Sequence, residues 1–206
     1  MGDGDGETAP SGSGLAQGRG RYEVILEAAE LEFYERSFDG VGVAAIGARA
    51  GITPSAIYRH FESKDEILAT LFDRAIDALQ IHTAAQIDDP FDELRYLVDG
   101  HVEFALSAHR LNSVWTREQH AIAEPFRRRV HLRQKAYVDR WLACLDACYP
   151  GNKTSDLAAV MRLAHAIITS DGTRVSAAPR SANLKSILVS ATMRAVEALD
   201  GQQPNG

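Results

Sequence analysis

Residues 46–64 read IGARAGITPSAIYRHFESK, and this stretch decides the fold. Ile46, Ala50 and Ile52 supply apolar contacts, and Gly51 stands where a helix must stop and turn. Glycine suits that place because it enters the left-handed region without a Cβ clash. Thr53 offers a hydroxyl as N-cap, and Pro54 takes the first helical position, where a missing N–H costs nothing. Ile57 and Phe61, four residues apart, face the core, which leaves Ser55, Ala56, Tyr58, Arg59 and His60 on the other side. Two short helices joined by a tight turn make a helix-turn-helix, the arrangement whose second helix enters a DNA major groove.

Outward from that stretch the chain resembles the tetracycline-repressor (TetR) family of bacterial transcriptional regulators, of actinobacterial type. Ile25-Leu26-Glu27-Ala28-Ala29 and Phe33 are similar to that family's first helix, and Phe38-Asp39-Gly40 to its exit. The similarity continues through Ile46, Ala50-Gly51, Tyr58, His60-Phe61 and Lys64 to Ile67-Leu68, so that it covers about Tyr22 to Leu71. The rest of the chain resembles the family in its helical pattern and length. The resemblance implies that Pro54, Ser55, Ala56, Tyr58, Arg59 and His60 form the DNA-facing surface, with Thr53 and Arg49 beside it, and that Lys64 meets a phosphate. Ser63-Lys64-Asp65-Glu66 also reads as a capping box, and a helix end with free N–H groups attracts phosphate. Arg59 is the leading candidate for a guanine or phosphate contact, because its fork matches both acceptors.

Three positions depart from the family pattern. Gly42 replaces a hydroxyl residue that caps the second helix, Val43-Ala44-Ala45 lacks the charge that usually follows, and Ser37 stands where glycine commonly ends the first helix. The backbone grip on DNA then rests on Arg19, Arg21, Arg49 and Lys64.

Length and composition bound the rest. A chain of 206 residues holds one large or two small domains, and 45% hydrophobic residues suffice for a core. The formal net charge of −6 is unusual for a DNA binder. Between Val41 and Lys64, however, the bases are Arg49, Arg59 and Lys64 and the only acid is Glu62. Glu23, Glu27, Glu30, Glu32 and Glu35 crowd the first helix instead. An acidic body suppresses sequence-independent binding and leaves a local surface to make contact. No secretory, myristoylation or bilayer-length segment is present, and two cysteines one helical turn apart, Cys144 and Cys148, build no disulfide framework. A reducing cytoplasm is the expected location.

The expected fold is all-α, with nine helices. Residues 1–18, rich in Gly, Ser and Asp, read as a disordered tail. A helix-turn-helix domain covers 19–63, and a ligand-binding and dimerisation domain covers 64–206. The helices are expected at about 21–37, 43–50, 54–60, after Ser63 toward Thr83, after Asp88-Asp89-Pro90, 111–122, after Glu124-Pro125, from Leu157 to near Asp171-Gly172, and after Ala177-Ala178-Pro179. Broad apolar stripes on the last two, together with the resemblance, imply a homodimer through a four-helix interface. Such a dimer spaces two reading heads for half-sites about 34–36 Å apart.

Aromatic and polar residues recur on the middle helices: Phe72, His101, Phe104, Trp115, Glu118, His120, Tyr137, Trp141 and His165. Taken singly, the aromatics suit a core. As a set, the resemblance implies that they line an effector cavity. Glu118, Glu124-Pro125 and Leu132-Arg133-Gln134 through Tyr137-Val138 to Trp141 are similar to actinobacterial regulators, some of which sense acyl-CoA or other lipids. Arg127-Arg128-Arg129 with Arg133 reads as a solvated face over an apolar stripe rather than an anion site. Cys144 and Cys148 read as small buried apolar residues. No His, Cys or acid pattern has metal-ligand spacing, so neither metal nor cofactor is expected.

The expectation is a cytoplasmic, dimeric repressor without enzymatic activity. It is released from a palindromic double-stranded DNA operator when a small, largely apolar effector binds. Two rivals stay open on the residues: a small helical enzyme using the aromatic pocket, and a ligand-binding protein that has kept the fold without operator binding.

Overall fold

Among the described residues of the computed structural model, 20–173 and 180–200, the chain forms nine α-helices and no strand. They are α1 (Arg21–Arg36), α2 (Val43–Ala50), α3 (Pro54–Ile57), α4 (Lys64–His82), α5 (Pro90–Ser107), α6 (His109–Glu118), α7 (Phe126–Cys148), α8 (Thr154–Thr169) and α9 (Leu184–Val196). The expected tail, Arg19 and the Ala177-Ala178-Pro179 lead-in lie outside the described residues.

Local chemistry sets most boundaries. Ile25, Leu26, Ala29 and Phe33 of α1 are all fully buried, as their helical spacing requires. Gly51 ends α2 in the left-handed region, at φ 68° and ψ 32°. The Thr53 hydroxyl accepts the Ala56 N–H at 3.3 Å, with Pro54 as the first residue of α3. Ser63 accepts the Glu66 N–H at 3.1 Å, and the Glu66 carboxylate turns back to the Glu62 N–H at 2.5 Å. That pairing caps α4 one residue upstream of the usual reciprocal box. Asp89 caps α5 by accepting the Phe91 and Asp92 N–H groups, each at 3.0 Å.

Two helices are shorter than their periodicity suggests. The last turn expected for α3 is a tight one, in which His60 N–H reaches the Ile57 carbonyl at 2.8 Å. Tyr58, Arg59 and His60 thus lie on a turn that continues α3 with three-residue spacing. The sixth helix begins at His109 and ends at Glu118, after which the Ala121 N–H returns to the Glu118 carbonyl at 2.9 Å.

Two apolar cores result. The first joins α1, α2 and α3 to the N-terminal half of α4 and to α6, through Ile57, Phe61, Leu68, Phe72, Val114 and others. The core of the N-terminal unit thereby extends past residue 63 into the helices that follow. The second packs α5, α7, α8 and α9 around Trp141 and Leu145. The far end of α4 is fixed against α5 at Gly100, where a Cβ would collide with the His82 carbonyl oxygen. Arg140 of α7 holds the same end, donating to the Thr83 and Ala85 carbonyls and to Glu93.

Ser37 leaves α1 at φ 68° and ψ 164°, a region that belongs almost entirely to glycine. Such a residue costs about 1–3 kcal/mol, partly offset in a glycine variant by the greater freedom of its unfolded chain. Ser37→Gly should therefore stabilise the chain by about 1 kcal/mol, raising the melting temperature by about 2–4 °C. Calorimetry on both proteins checks this, and an unchanged or lower midpoint would show the serine conformation to be unstrained.

Candidate functional site

The turn around α3 presents a continuous outward face. Thr53, Pro54, Ser55, Arg59 and His60 are exposed, Tyr58 is 56% exposed, and Ala56 is half-buried. Ile57 and Phe61 behind them are sealed in the first core, and Tyr22 of α1 stacks on Phe61 with ring centroids 4.8 Å apart. The Thr53 and Ser55 hydroxyls lie 3.0 Å apart at the start of this face. The Arg59 guanidinium has no hydrogen-bond or ion-pair partner among the described residues, so its five donors are available.

Two cations expected beside this face are turned inward. The Lys64 ammonium donates to the Phe38 carbonyl at 2.8 Å and the Val41 carbonyl at 3.0 Å, and sits 4.0 Å from the centre of the Phe38 ring. It closes the α1–α2 loop from below, because that loop ends on carbonyls with no helical donor. Arg49 bonds Glu32 at 2.6 Å and also Glu35, tying α2 to α1. Backbone donors stand where the side chains are missing. Gly42 caps α2 without a side-chain bond, and the intrahelical ladder begins with the N–H of Ala45. The Val43 and Ala44 N–H groups precede that ladder, at an end with positive partial charge. A scan of side chains cannot detect such donors.

A second site is a cavity of about 640 Å³ enclosed by α4, α5, α6, α7 and α8. Of the nine residues expected to line it, His101, Phe104, Trp115, Tyr137 and His165 do so. Phe72 is fully buried in the first core, behind Trp115, with ring centroids 4.7 Å apart. Trp141 is likewise fully buried behind His165, 4.8 Å between centroids. Glu118 is buried away from the cavity, and His120 is exposed beyond the end of α6. The helical repeat separates them, since neighbours in sequence point about 100° apart around the axis. Reading for aromatics missed the polar lining: Gln80, Asn112, Thr116, Gln119, Gln134, Arg162 and Thr169. A signal for part of it existed. Met161, His165 and Thr169 recur every fourth residue on α8, a stripe too polar for the core it faces.

At the cavity wall the Tyr137 hydroxyl and His101 Nδ1 share a hydrogen bond at 3.1 Å. The His165 ring lies edge-on to His101, 5.0 Å between centroids. Burial, and then the nearby His165, hold the His101 imidazole well below its usual value. Burial alone lowers His165 to about 4. Both rings are thus neutral near pH 7, and burial raises the Tyr137 phenol above its ordinary range. Cys144 is buried, its Sγ 3.3 Å from the Pro90 carbonyl oxygen, and burial pushes the thiol up to about 12. Among the described residues no group of three or more His, Cys, Asp or Glu could hold a metal ion, and no helix is long and apolar enough to cross a membrane.

A face of hydroxyls, a tyrosine, an arginine and a histidine on a helix-turn-helix is matched by a family model. Residues 25–71 fit the model of bacterial regulatory proteins of the tetR family. This segment is a tetR-family DNA-binding domain by its match to that model. Over 71 residues it is 37% identical to a probable HTH-type transcriptional regulator, ArpR of Pseudomonas putida, covering 34% of each chain. It is 30% identical over 79 residues to the HTH-type transcriptional activator FasR of Mycolicibacterium smegmatis, covering 36% of each. The chain thus spans about a third of the length of these curated relatives. The fold extends further than the sequence similarity. The structure of AibR in complex with isovaleryl coenzyme A and operator DNA superposes with a TM-score of 0.72 at 16% identity, covering 87% of this chain and 97% of that one. The described residues therefore share the all-helical fold of that solved structure.

Two outcomes follow from this geometry. Lys64→Met removes two hydrogen bonds from a charged donor and should destabilise the chain by about 2 kcal/mol. A denaturation midpoint equal to wild type would show that the inward ammonium contributes nothing. The neutral histidines give a pH dependence. Below about pH 6.5 the unfolded chain takes protons that the folded one refuses, so stability falls as pH drops toward about 4 and then levels. For His165 alone that loss is roughly 3 kcal/mol. Melting curves of His165→Gln against wild type should converge in this window, and parallel curves would refute the assignment.

Proposed function

We propose that this chain is a ligand-controlled, dimeric transcriptional repressor of the TetR family. Its α3 turn reads a palindromic operator, with Tyr58, Arg59 and His60 facing the bases. Thr53, Ser55 and the Val43 and Ala44 N–H groups hold phosphates. A small, largely apolar molecule in the cavity is the effector. The dimer forms through α8 and α9, which pack on each other and leave Leu163 at 58% and Ile187 at 52% exposure on their outer sides. Large apolar residues left outward on adjacent helices suit a self-complementary contact.

One observation carries the reading: α6 is both cavity wall and support for the reading head. Its Trp115 and Thr116 face the cavity, while Arg117 next to them donates to the Phe33 and Tyr34 carbonyls of α1, each at 2.9 Å. Arg110 of α6 also meets Glu30 of α1 at 3.1 Å. An occupant that shifts α6 shifts α1, and with it the spacing of two recognition turns. Release is then a population shift, driven by the effector's preference for one arrangement. The AibR structure, in which a TetR-fold protein holds both isovaleryl coenzyme A and operator DNA, supports the pairing of the two sites.

The inward Lys64 and Arg49 favour a second reading, a ligand-binding protein that has kept the fold without operator binding. Titration of the full chain against the DNA upstream of its own gene, at several salt concentrations, separates the two. A regulator prefers that fragment over unrelated DNA and loses affinity as salt rises. Arg59→Ala should then weaken it by about tenfold or more, the worth of one good base or phosphate contact. Equal affinity for unrelated DNA, or an Arg59→Ala variant with wild-type binding, would reject the reading head.

A further inference from the structure

The charge and hydrogen-bond state of the cavity lining narrows the effector to one chemical class. No carboxylate lines the cavity, and among the described lining residues Arg162 is the one side chain that carries a charge at neutral pH. Arg162 lies on the exposed side of α8 at the cavity edge and makes no hydrogen bond or ion pair with any described residue. Many other described arginines are held, among them Arg49, Arg74, Arg110, Arg117, Arg133 and Arg140, each of which grips an acid or a carbonyl.

Three amides share this condition. The Gln80, Gln119 and Gln134 side chains come from α4, the end of α6 and α7, and none has a protein partner among the described residues. Of the remaining polar groups of the lining, Tyr137 is satisfied by His101, Thr116 by the Asn112 carbonyl and Thr169 by the His165 carbonyl, whereas Asn112 Nδ2 and His165 Nε2 are buried without a partner. The body of the cavity is apolar, walled by Ile76, Leu79, Phe104, Trp115, Val138 and Met161. The unpartnered polar groups thus amount to one guanidinium, the amides of Gln80, Gln119, Gln134 and Asn112, and His165 Nε2, and the one charge they offer at neutral pH is positive.

We infer that the cavity takes an acidic amphiphile, an apolar body ending in a carboxylate or phosphate, with the anionic group held by Arg162 at the cavity edge. The apolar body displaces water from the aromatic wall, while the acid stays at the solvent margin, where it loses little hydration. There a guanidinium offers paired N–H donors to two acceptor oxygens. A cationic ligand finds no counter-charge in this lining, and a neutral one gains nothing from Arg162. The inference rests on the reading of this cavity as the effector site.

The test uses the full chain and displacement of the neutral dye Nile red, backed by calorimetry. The probes are octanoate, decanoate and dodecanoate, their methyl esters, the matching alkylamines and decyl phosphate. The acids should bind about tenfold or more tightly than their esters, and the amines should bind more weakly than either. The ratio of decanoate to decyl phosphate affinity tells which anion the edge prefers. Arg162→Met keeps the stem and removes the charge. It should bring the acid-to-ester ratio near one and leave ester affinity unchanged, and the exposed position keeps the fold intact. Esters that match the acids in the wild type, or a ratio that survives Arg162→Met, would overturn the inference while the cavity reading stands. If Nile red and every probe fail to bind, the effector-cavity reading falls and takes the inference with it.

Discussion

A helix ends with carbonyls short of intrahelical donors, and at the end of α1 Arg117 of α6 donates to those of Phe33 and Tyr34. The Phe33 carbonyl also receives the Ser37 N–H at 3.1 Å, so three groups converge where α1 stops. This junction is where the two halves of the molecule depend on each other. α6 contributes Val114 to the first core and Trp115 to the cavity wall, and its next residue secures the last turn of the helix beneath the reading head. A guanidinium suits the place because its Nη2 carries two N–H donors and reaches both adjacent carbonyls. It also opposes the negative end of the α1 dipole.

The acids of α1 take on a different meaning in this setting. Glu23 pairs with Arg74, Glu30 with Arg110, and Glu32 and Glu35 with Arg49, so three separate elements are fastened to one helix through its carboxylates. Glu32 is 3% exposed and has Arg36 within 3.5 Å as a further partner. The negative formal charge of the chain therefore does not describe the surface around α3. Much of the acid near the reading head is already neutralised by internal arginines, and the face around α3 carries hydroxyls, a phenol, an imidazole and one free guanidinium.

The helix-turn-helix was legible because its signals are local. Glycine at a left-handed turn, a hydroxyl N-cap followed by proline, and Ile57 paired with Phe61 each act within a few residues. Helix existence was legible from apolar period for the same reason. The direction taken by Lys64 and Arg49 was not, since it depends on carbonyls and carboxylates 14 to 26 residues away in sequence. The cavity was half legible. His101, Tyr137 and His165 stood out by type, whereas Phe72 and Trp141 are of the same type and lie one layer deeper. The free amides drew no notice, because glutamine on a helix is ordinary until its neighbours are known. Ser37 is unusual for its place in the sequence, and its positive φ is the physical reason.

The 19 residues of α4 run between two fixed ends. At one end Lys64 is fastened to the carbonyls of Phe38 and Val41. At the other, Gly100 admits the His82 carbonyl against α5, Thr83 is 2% exposed, and Arg140 clasps the residues just beyond. Ala75, Ile76, Leu79 and Gln80, which face the cavity, lie between the two, nearer the second. Mechanically this is a beam clamped at both ends and open to a side load along its span. At the Lys64 end two hydrogen bonds reach the loop between α1 and α2, and Ile67, Leu68 and Leu71 are sealed in the core shared with the helix-turn-helix, so a displacement of α4 is passed directly to that unit.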